Sequence, residues 1–307
     1  LFFTQWKALR DYCQKKGVCL IGDMAIYVSW DSADVWAHPQ NFKLDERSHP
    51  TGVAGVPPDY FSETGQRWGN PVYDWESLED DRFSWWVERV RHSFKLFDTV
   101  RIDHFRGLVQ YWEIPADQPN AVIGKWEDVP TDHFFKALEK EFPKRFPIIA
   151  EDLGIITDDV RESMHRLGFP GMKVLLFAFN GDLEGHPYLP HNYKDRCVVY
   201  TGTHDNNTVL GWYMDEATPN ELVQAQKYLG KKISEESVCY DMIYLAFDSA
   251  AELAIIPLQD ICELGSEARM NKPGTIKGNW QWRAEEGMFN NTVVQKLLNV
   301  TVMTKRD

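Results

Sequence analysis

The sequence predicts an α/β fold built on a parallel sheet, and three observations predict it. Short apolar runs rich in β-formers alternate with helical segments. The runs lack the apolar–polar alternation of a half-exposed strand, and the order strand then helix repeats along the chain. In order, a helix-like segment at 5–16 leads into a strand at 18–21. Phe83, Trp86, Val87, Val90, Phe94 and Phe97, spaced by three and four, mark an amphipathic helix ahead of a strand at Thr99–Ile102. Further strands fall at 147–150, 172–179, Cys197–Tyr200 and 253–258, six in all. Thr157, with Asp158 and Asp159 in the first turn, opens a helix that Gly168 ends before Pro170. Thr218-Pro219-Asn220-Glu221 is a capping box for a helix closed by Gly230. This order suits a barrel or a doubly wound sheet. No GxGxxG or phosphate-loop pattern follows any strand, which argues against a nucleotide-binding sheet. The stretch 52–75, rich in Gly, Pro and aromatics, is too long for a passive connection and reads as a functional loop.

Composition narrows the function. The chain has 307 residues, with 33 Lys+Arg against 46 Asp+Glu, a net charge of −13. A scattered acidic surplus disfavours nucleic acid and anionic membrane surfaces, and no run of about 18 apolar residues is present to span a membrane. The start, Leu1 to Trp6, lacks an initiator Met and a signal-peptide pattern, so the chain is expected to begin inside a longer one. Five cysteines without a CxxC pair read as reduced thiols of a cytosolic protein, with neither a disulfide frame nor a zinc site. Of three Asn-x-Thr sequons, the one at Asn206 lies beside a candidate catalytic residue, where a glycan would block the site. This also suits a cytoplasmic setting. Twelve Trp are a cue for sugar stacking. Trp85 and Trp86 are set aside as helix residues, and Trp112, Trp126, Trp212 and Trp280 stay open between core and stacking.

Carboxylates stand where the apolar strands end: Asp23 in Ile21-Gly22-Asp23, Asp103 in Arg101-Ile102-Asp103-His104-Phe105-Arg106, Glu151 in Ala150-Glu151-Asp152, and Asp205 in Thr203-His204-Asp205-Asn206. Each alone is compatible with a turn or helix cap. Four at the same end of parallel strands match the place where α/β barrels keep their active sites. Converging carboxylates raise one another's pKa, so one stays protonated as a general acid while another serves as nucleophile. Retaining glycosidic-bond cleavage requires this, at a carboxyl separation of about 5–5.5 Å. His104 and His204 have no metal-ligand spacing, and no metal or other cofactor is expected.

These motifs, with Gly22-Asp23-Met24-Ala25-Ile26-Tyr27-Val28, Asp31-Ser32-Ala33-Asp34-Val35-Trp36, the loop from Gly55 to Pro71, Gly168-Phe169-Pro170-Gly171-Met172-Lys173-Val174 and Asn279-Trp280-Gln281-Trp282-Arg283, closely resemble the 4-α-glucanotransferases of glycoside hydrolase family 77 in the α-amylase clan, over essentially the whole chain. The resemblance implies a (β/α)8 TIM barrel. Residues 1–307 would be the C-terminal portion of that single catalytic domain, contributing strands three to eight, with 52–75 an active-site loop inserted within it. The first two strands would belong to an upstream segment of the same gene product, roughly 500 residues in all.

The same resemblance implies roles. Asp103 matches the nucleophile, Glu151 the general acid/base and Asp205 the third carboxylate. Asp23 lines a sugar subsite, Arg101 steadies Asp103, and His204 contacts the same ring as Asp205. Tyr60, Phe61, Glu63, Trp68 and Asn70 lie on the loop over the donor, and Asn279 and Trp280 are further substrate contacts. The implied reaction moves α-1,4-glucan segments between maltooligosaccharides with retention, in maltose and starch or glycogen metabolism. Its rivals are an α-amylase-like hydrolase using the same carboxylates, a glucan-binding fragment without catalysis, and a His-Asp metal phosphohydrolase built on His204 and Asp205.

Overall fold

Three parallel strands, β1 (Ile21–Met24), β4 (Thr99–Ile102) and β7 (Ile148–Ala150), form a sheet of order β1-β4-β7. Its register sets Asp23 beside Arg101 and Ile102 beside Ala150, so Asp103 and Glu151 both follow at the same end. The computed structural model describes residues 1–59, 62–143, 146–193, 196–275 and 277–306. The chain divides into two compact units, Leu1–Phe169 and Pro170–Asp307. Among the described residues no helix is long and apolar enough to cross a membrane.

The first unit holds that sheet and a second, antiparallel one. The helix Ser84–Leu96 lies between β1 and β4 in the chain and buries Trp86, Val87 and Val90 of the stripe expected from its spacing, and Trp85 beside them. Trp86 meets Trp75 and Phe134, and this aromatic cluster extends through Phe105 and Phe135. Between β7 and the second unit runs the helix Asp158–Leu167, which ends at Gly168 with φ +69°, a left-handed cap glycine takes without strain.

Four strands build the antiparallel sheet, in the order β3-β2-β5-β6: β2 (Gly52–Val56), β3 (Gln66–Pro71), β5 (Gln110–Pro115) and β6 (Lys125–Asp128). The stretch 52–75, expected as an irregular loop, is therefore largely a β-hairpin, and the helix Trp75–Asp80 begins at its end. Its glycines hid it. At Gly55 a Cβ would fall on the carbonyl oxygen of Gln66 across the pair, so only glycine permits this close pairing.

The second unit carries a parallel sheet, β10-β9-β8, of β8 (Gly171–Val174), β9 (Cys197–Tyr200) and β10 (Leu253–Ile255). All six expected strands exist: Thr99–Ile102 and Cys197–Tyr200 keep the expected bounds, and the other four have shifted ends. The first starts at Ile21 rather than residue 18. The run 172–179 leaves strand geometry after Val174 for a 3-10 turn at Leu175–Phe177, and the last strand ends at Ile255, two residues before Pro257. Apolar runs alone do not separate a buried strand from a buried turn. The capping box at Thr218 is formed, with Glu221 bonding back, and opens the helix Pro219–Leu229.

Candidate active site

In the first unit the site is organised by Arg101. Its side chain, nearly buried, donates from Nη1 to Asp23 Oδ1 at 2.7 Å and from Nη2 to Asp103 Oδ1 at 2.8 Å. Burial alone would weaken its hold on its proton; the surrounding carboxylates Asp23, Asp103 and Glu151 outweigh that and raise its pKa. The arrangement follows from register, because neighbouring parallel strands set Asp23 and Arg101 side by side and Arg101 and Asp103 are two residues apart.

Glu151 is the buried member of the group. Its Oε2 accepts the backbone N–H of His104 and its Oε1 that of Leu153, each at 2.7 Å. His104 directs that N–H at the carboxylate from a left-handed backbone, φ +48°. Burial, with Asp103 nearby, pushes Glu151 up from 4.5 to about 7, against Arg101 and the two backbone donors. The result is one carboxyl group that keeps its proton close to neutrality next to another held by a guanidinium. The His104 imidazole is pushed down to about 4 by burial. Its ring takes the edge of Trp68 at 4.8 Å between centroids, and Trp68 Nε1 donates to Gln66 Oε1. Asn70 Nδ2 donates to Val28 O and so ties the hairpin to the segment after β1.

The second unit holds a separate cluster after β9. Asp205 Oδ1 accepts Asn271 Nδ2 at 2.6 Å, and Arg269 donates to the Asp205 carbonyl, to the Asn271 carbonyl and to Glu216. His204 Nε2 lies 3.4 Å from Asp205 Oδ2, and its ring meets Trp280 at 5.2 Å. Trp280, 60% exposed, sits at φ +60°. Behind the 201–209 segment, buried Asp260 accepts Thr201 Oγ1 and Val209 N; burial raises its carboxyl to about 6.

A family profile described as 4-alpha-glucanotransferase matches residues 1–289. The chain belongs to this family. A 4-alpha-glucanotransferase of Thermus thermophilus is 53% identical over 293 residues, covering 94% of this chain and 58% of its own. A Solanum tuberosum relative, named as a chloroplastic/amyloplastic 4-alpha-glucanotransferase, is 49% identical over 283 residues, covering 92% and 48%. The amylomaltase from Streptococcus agalactiae, solved in complex with acarbose, superposes with a TM-score of 0.94 at 36% identity, over 99% of this chain and 61% of that one. This chain thus spans about three fifths of the length of the first curated relatives it matches.

Against this family pattern, Asp23, Arg101, Asp103, Glu151, Trp68 and Asn70 lie together in the first unit, and His204, Asp205 and Trp280 in the second. Glu63 is exposed at the hairpin turn, and Tyr60 and Phe61 lie outside the described residues. Asn279 spends its amide within its own loop, accepting Lys272 N and donating to Thr275 O. Of the undecided tryptophans, Trp212 is core, Trp112 and Trp126 pack on each other across β5 and β6, and Trp280 is open. Sequence reasoning missed His104 as the backbone donor to Glu151, and missed Asn271 and Arg269. The first was signalled by adjacency to Asp103; the others, more than sixty residues from Asp205, carried no local signal.

Proposed function

We propose that this chain carries the catalytic groups of a retaining 4-α-glucanotransferase acting on maltooligosaccharides and α-1,4-glucans. The observation that carries the reading is the pairing of Asp103, bound by Arg101, with buried Glu151, whose proton affinity is raised toward neutral pH. Two carboxyl groups in contrasting environments supply a nucleophile and an acid. Asp103 attacks the anomeric carbon as the C1–O bond breaks, and the Glu151 proton passes to the departing 4-oxygen. In the second half-reaction Glu151 takes the proton of an acceptor hydroxyl, which attacks C1 and releases Asp103. Two inversions give net retention.

Asp205 is read as the third carboxylate, stabilising the oxocarbenium-like sugar, with His204 and Trp280 on the same ring. Tyr60, Glu63, Trp68, Asn70 and Asn279 are read as donor and acceptor contacts, and Asp23 as a subsite residue. Transfer wins over hydrolysis only if the covalent intermediate is shielded from water at about 55 M while an acceptor sugar is held in line. The hairpin bearing Trp68, edge-on to His104, suits that role.

At the level of architecture, residues 1–307 are read as the C-terminal portion of one (β/α)8 TIM barrel. Strands β1, β4, β7, β8, β9 and β10 would be strands three to eight, and an upstream segment would supply the first two. The setting is read as cytoplasmic. Incubating the full-length protein with maltotriose tests the activity. Glucose plus a ladder of longer oligosaccharides is expected; glucose and maltose alone would make it a hydrolase, and binding without turnover would leave a glucan-binding fragment.

A further inference from the structure

The segment between β7 and the helix Asp158–Leu167 is tied at both ends to the turn that follows β4. At the near end Glu151 N donates to Ile102 O and Phe105 N to Glu151 O, while the Glu151 carboxylate takes the N–H groups of His104 and Leu153. At the far end stands Arg106, 6% exposed, whose Nη1 donates to Ile155 O at 2.7 Å and to Thr157 Oγ1 at 3.3 Å. Its guanidinium lies 4.0 Å from the centroid of the Trp126 ring on β6.

Among the described residues Arg106 joins no ion pair, and its buried Nε has no hydrogen-bond partner. A buried cation with no carboxylate in contact, Asp159 acting on it only from beyond ion-pair distance, is costly to keep, and Lys does not reproduce a stacked, planar guanidinium. Between the two ties lies Gly154, at φ +87° with open space around it, a point where the segment would pivot if its far end were released. Thr157, expected from the sequence to cap the helix with its hydroxyl, makes no such bond and instead accepts from Arg106.

Resting on the reading of Glu151 as acid/base, we propose that Arg106 is a positioning residue that anchors the far end of the 151–157 segment and thereby holds the Leu153 N–H on the Glu151 carboxylate. Among the described residues, Asp103, Arg101 and His104 are charged or titratable groups around Glu151, Asp152 follows it in the chain, and Asp159 faces Arg106. The Leu153 N–H favours the ionised form of Glu151, so slackening the segment makes Glu151 hold its proton more tightly.

Consumption of maltotriose by the full-length protein, followed as kcat/KM against pH, reads this whether water or sugar accepts the glucosyl group. The basic limb, where the general acid ionises, is expected to move up by about one pH unit in Arg106→Met. Loss of a cation would push the same way, and Arg106→Lys separates the two because it keeps the charge but not the stacked fork; it is expected to retain at least half the shift. An unmoved limb in both variants would make Arg106 merely structural, and a shift in Arg106→Met with a wild-type limb in Arg106→Lys would make the effect one of charge; either overturns the proposal. Where Arg106→Met does not accumulate as folded protein, Arg106→Lys and Thr157→Val carry the test, and an unmoved limb in both overturns it. A wild-type protein inert toward maltotriose would refute the underlying reading of the site, a result distinct from an unmoved limb.

Discussion

Glu151 shows how one side chain couples chemistry to stability. Its carboxyl is raised from 4.5 to about 7 by burial and Asp103, so the stabilising contribution of the protonated form is fully present below about pH 4.5 and is lost as pH rises through 7. Glu151→Gln cannot ionise. Denaturant unfolding of the two proteins between about pH 5 and pH 8 is expected to shift their stability difference by about 2–3 kcal/mol in favour of the variant, alongside loss of turnover. A difference independent of pH would contradict the burial argument. At this scale the carboxylates were legible because each stands at the break between an apolar strand and a polar segment. The Arg101 bridge was half legible: its two-residue spacing to Asp103 was visible, but its bond to Asp23 needed the strand register. The grip of Asn271 and Arg269 on Asp205 had no sequence signal, being made across a loop of long separation.

The antiparallel sheet is the element whose loss would tell most. It carries Trp68 toward His104 and Trp126 onto Arg106, so the sheet and the turn that follows β4 are joined through side chains. Gly55→Ala puts a methyl group on the Gln66 carbonyl and is expected to cost about 1–3 kcal/mol, read as earlier urea unfolding of the full-length protein and faster proteolysis within 52–75. Unchanged protease resistance would show that the pair is not tightly closed. The parallel strands β4, β7, β8 and β9 were visible because strands covered on both faces write continuous apolar runs, whereas β1, Ile-Gly-Asp-Met with alternate residues exposed, was expected three residues too early. The four antiparallel ones were not, since β2 and β3 are interrupted by glycine and β6 reads Lys-Trp-Glu-Asp. Helix ends carried clear signals at Gly168, Thr218 and Gly230, where the local chemistry alone decides the cap.

At the scale of the whole molecule, the upstream segment we propose would meet strand edges and helix faces that stand open among the described residues. In the first sheet β1 pairs with β4 alone among the described residues, and in the second β10 pairs with β9 alone. The helix Phe2–Lys15 buries none of its residues and exposes Phe2, Phe3, Leu9 and Tyr12, and the helix Asn291–Thr304 exposes Val294, Leu298 and Val302 at a spacing of four. Unpaired edges and apolar faces of this kind drive association. Residues 1–307 expressed alone are therefore expected to self-associate in size-exclusion chromatography and to lose most activity relative to the full-length protein. A monomeric, fully active product would contradict the need for further strands. The proposed role of Asp103 as the nucleophile served by Glu151 is tested by trapping. Full-length protein treated with 5-fluoro-α-glucosyl fluoride, which forms the glycosyl-enzyme faster than it turns over, is digested and mapped by mass spectrometry. A single fluoroglucosyl adduct on the peptide that contains Asp103 is expected, and a label on Asp23, Glu151 or Asp205 instead, or none at all, would contradict that role.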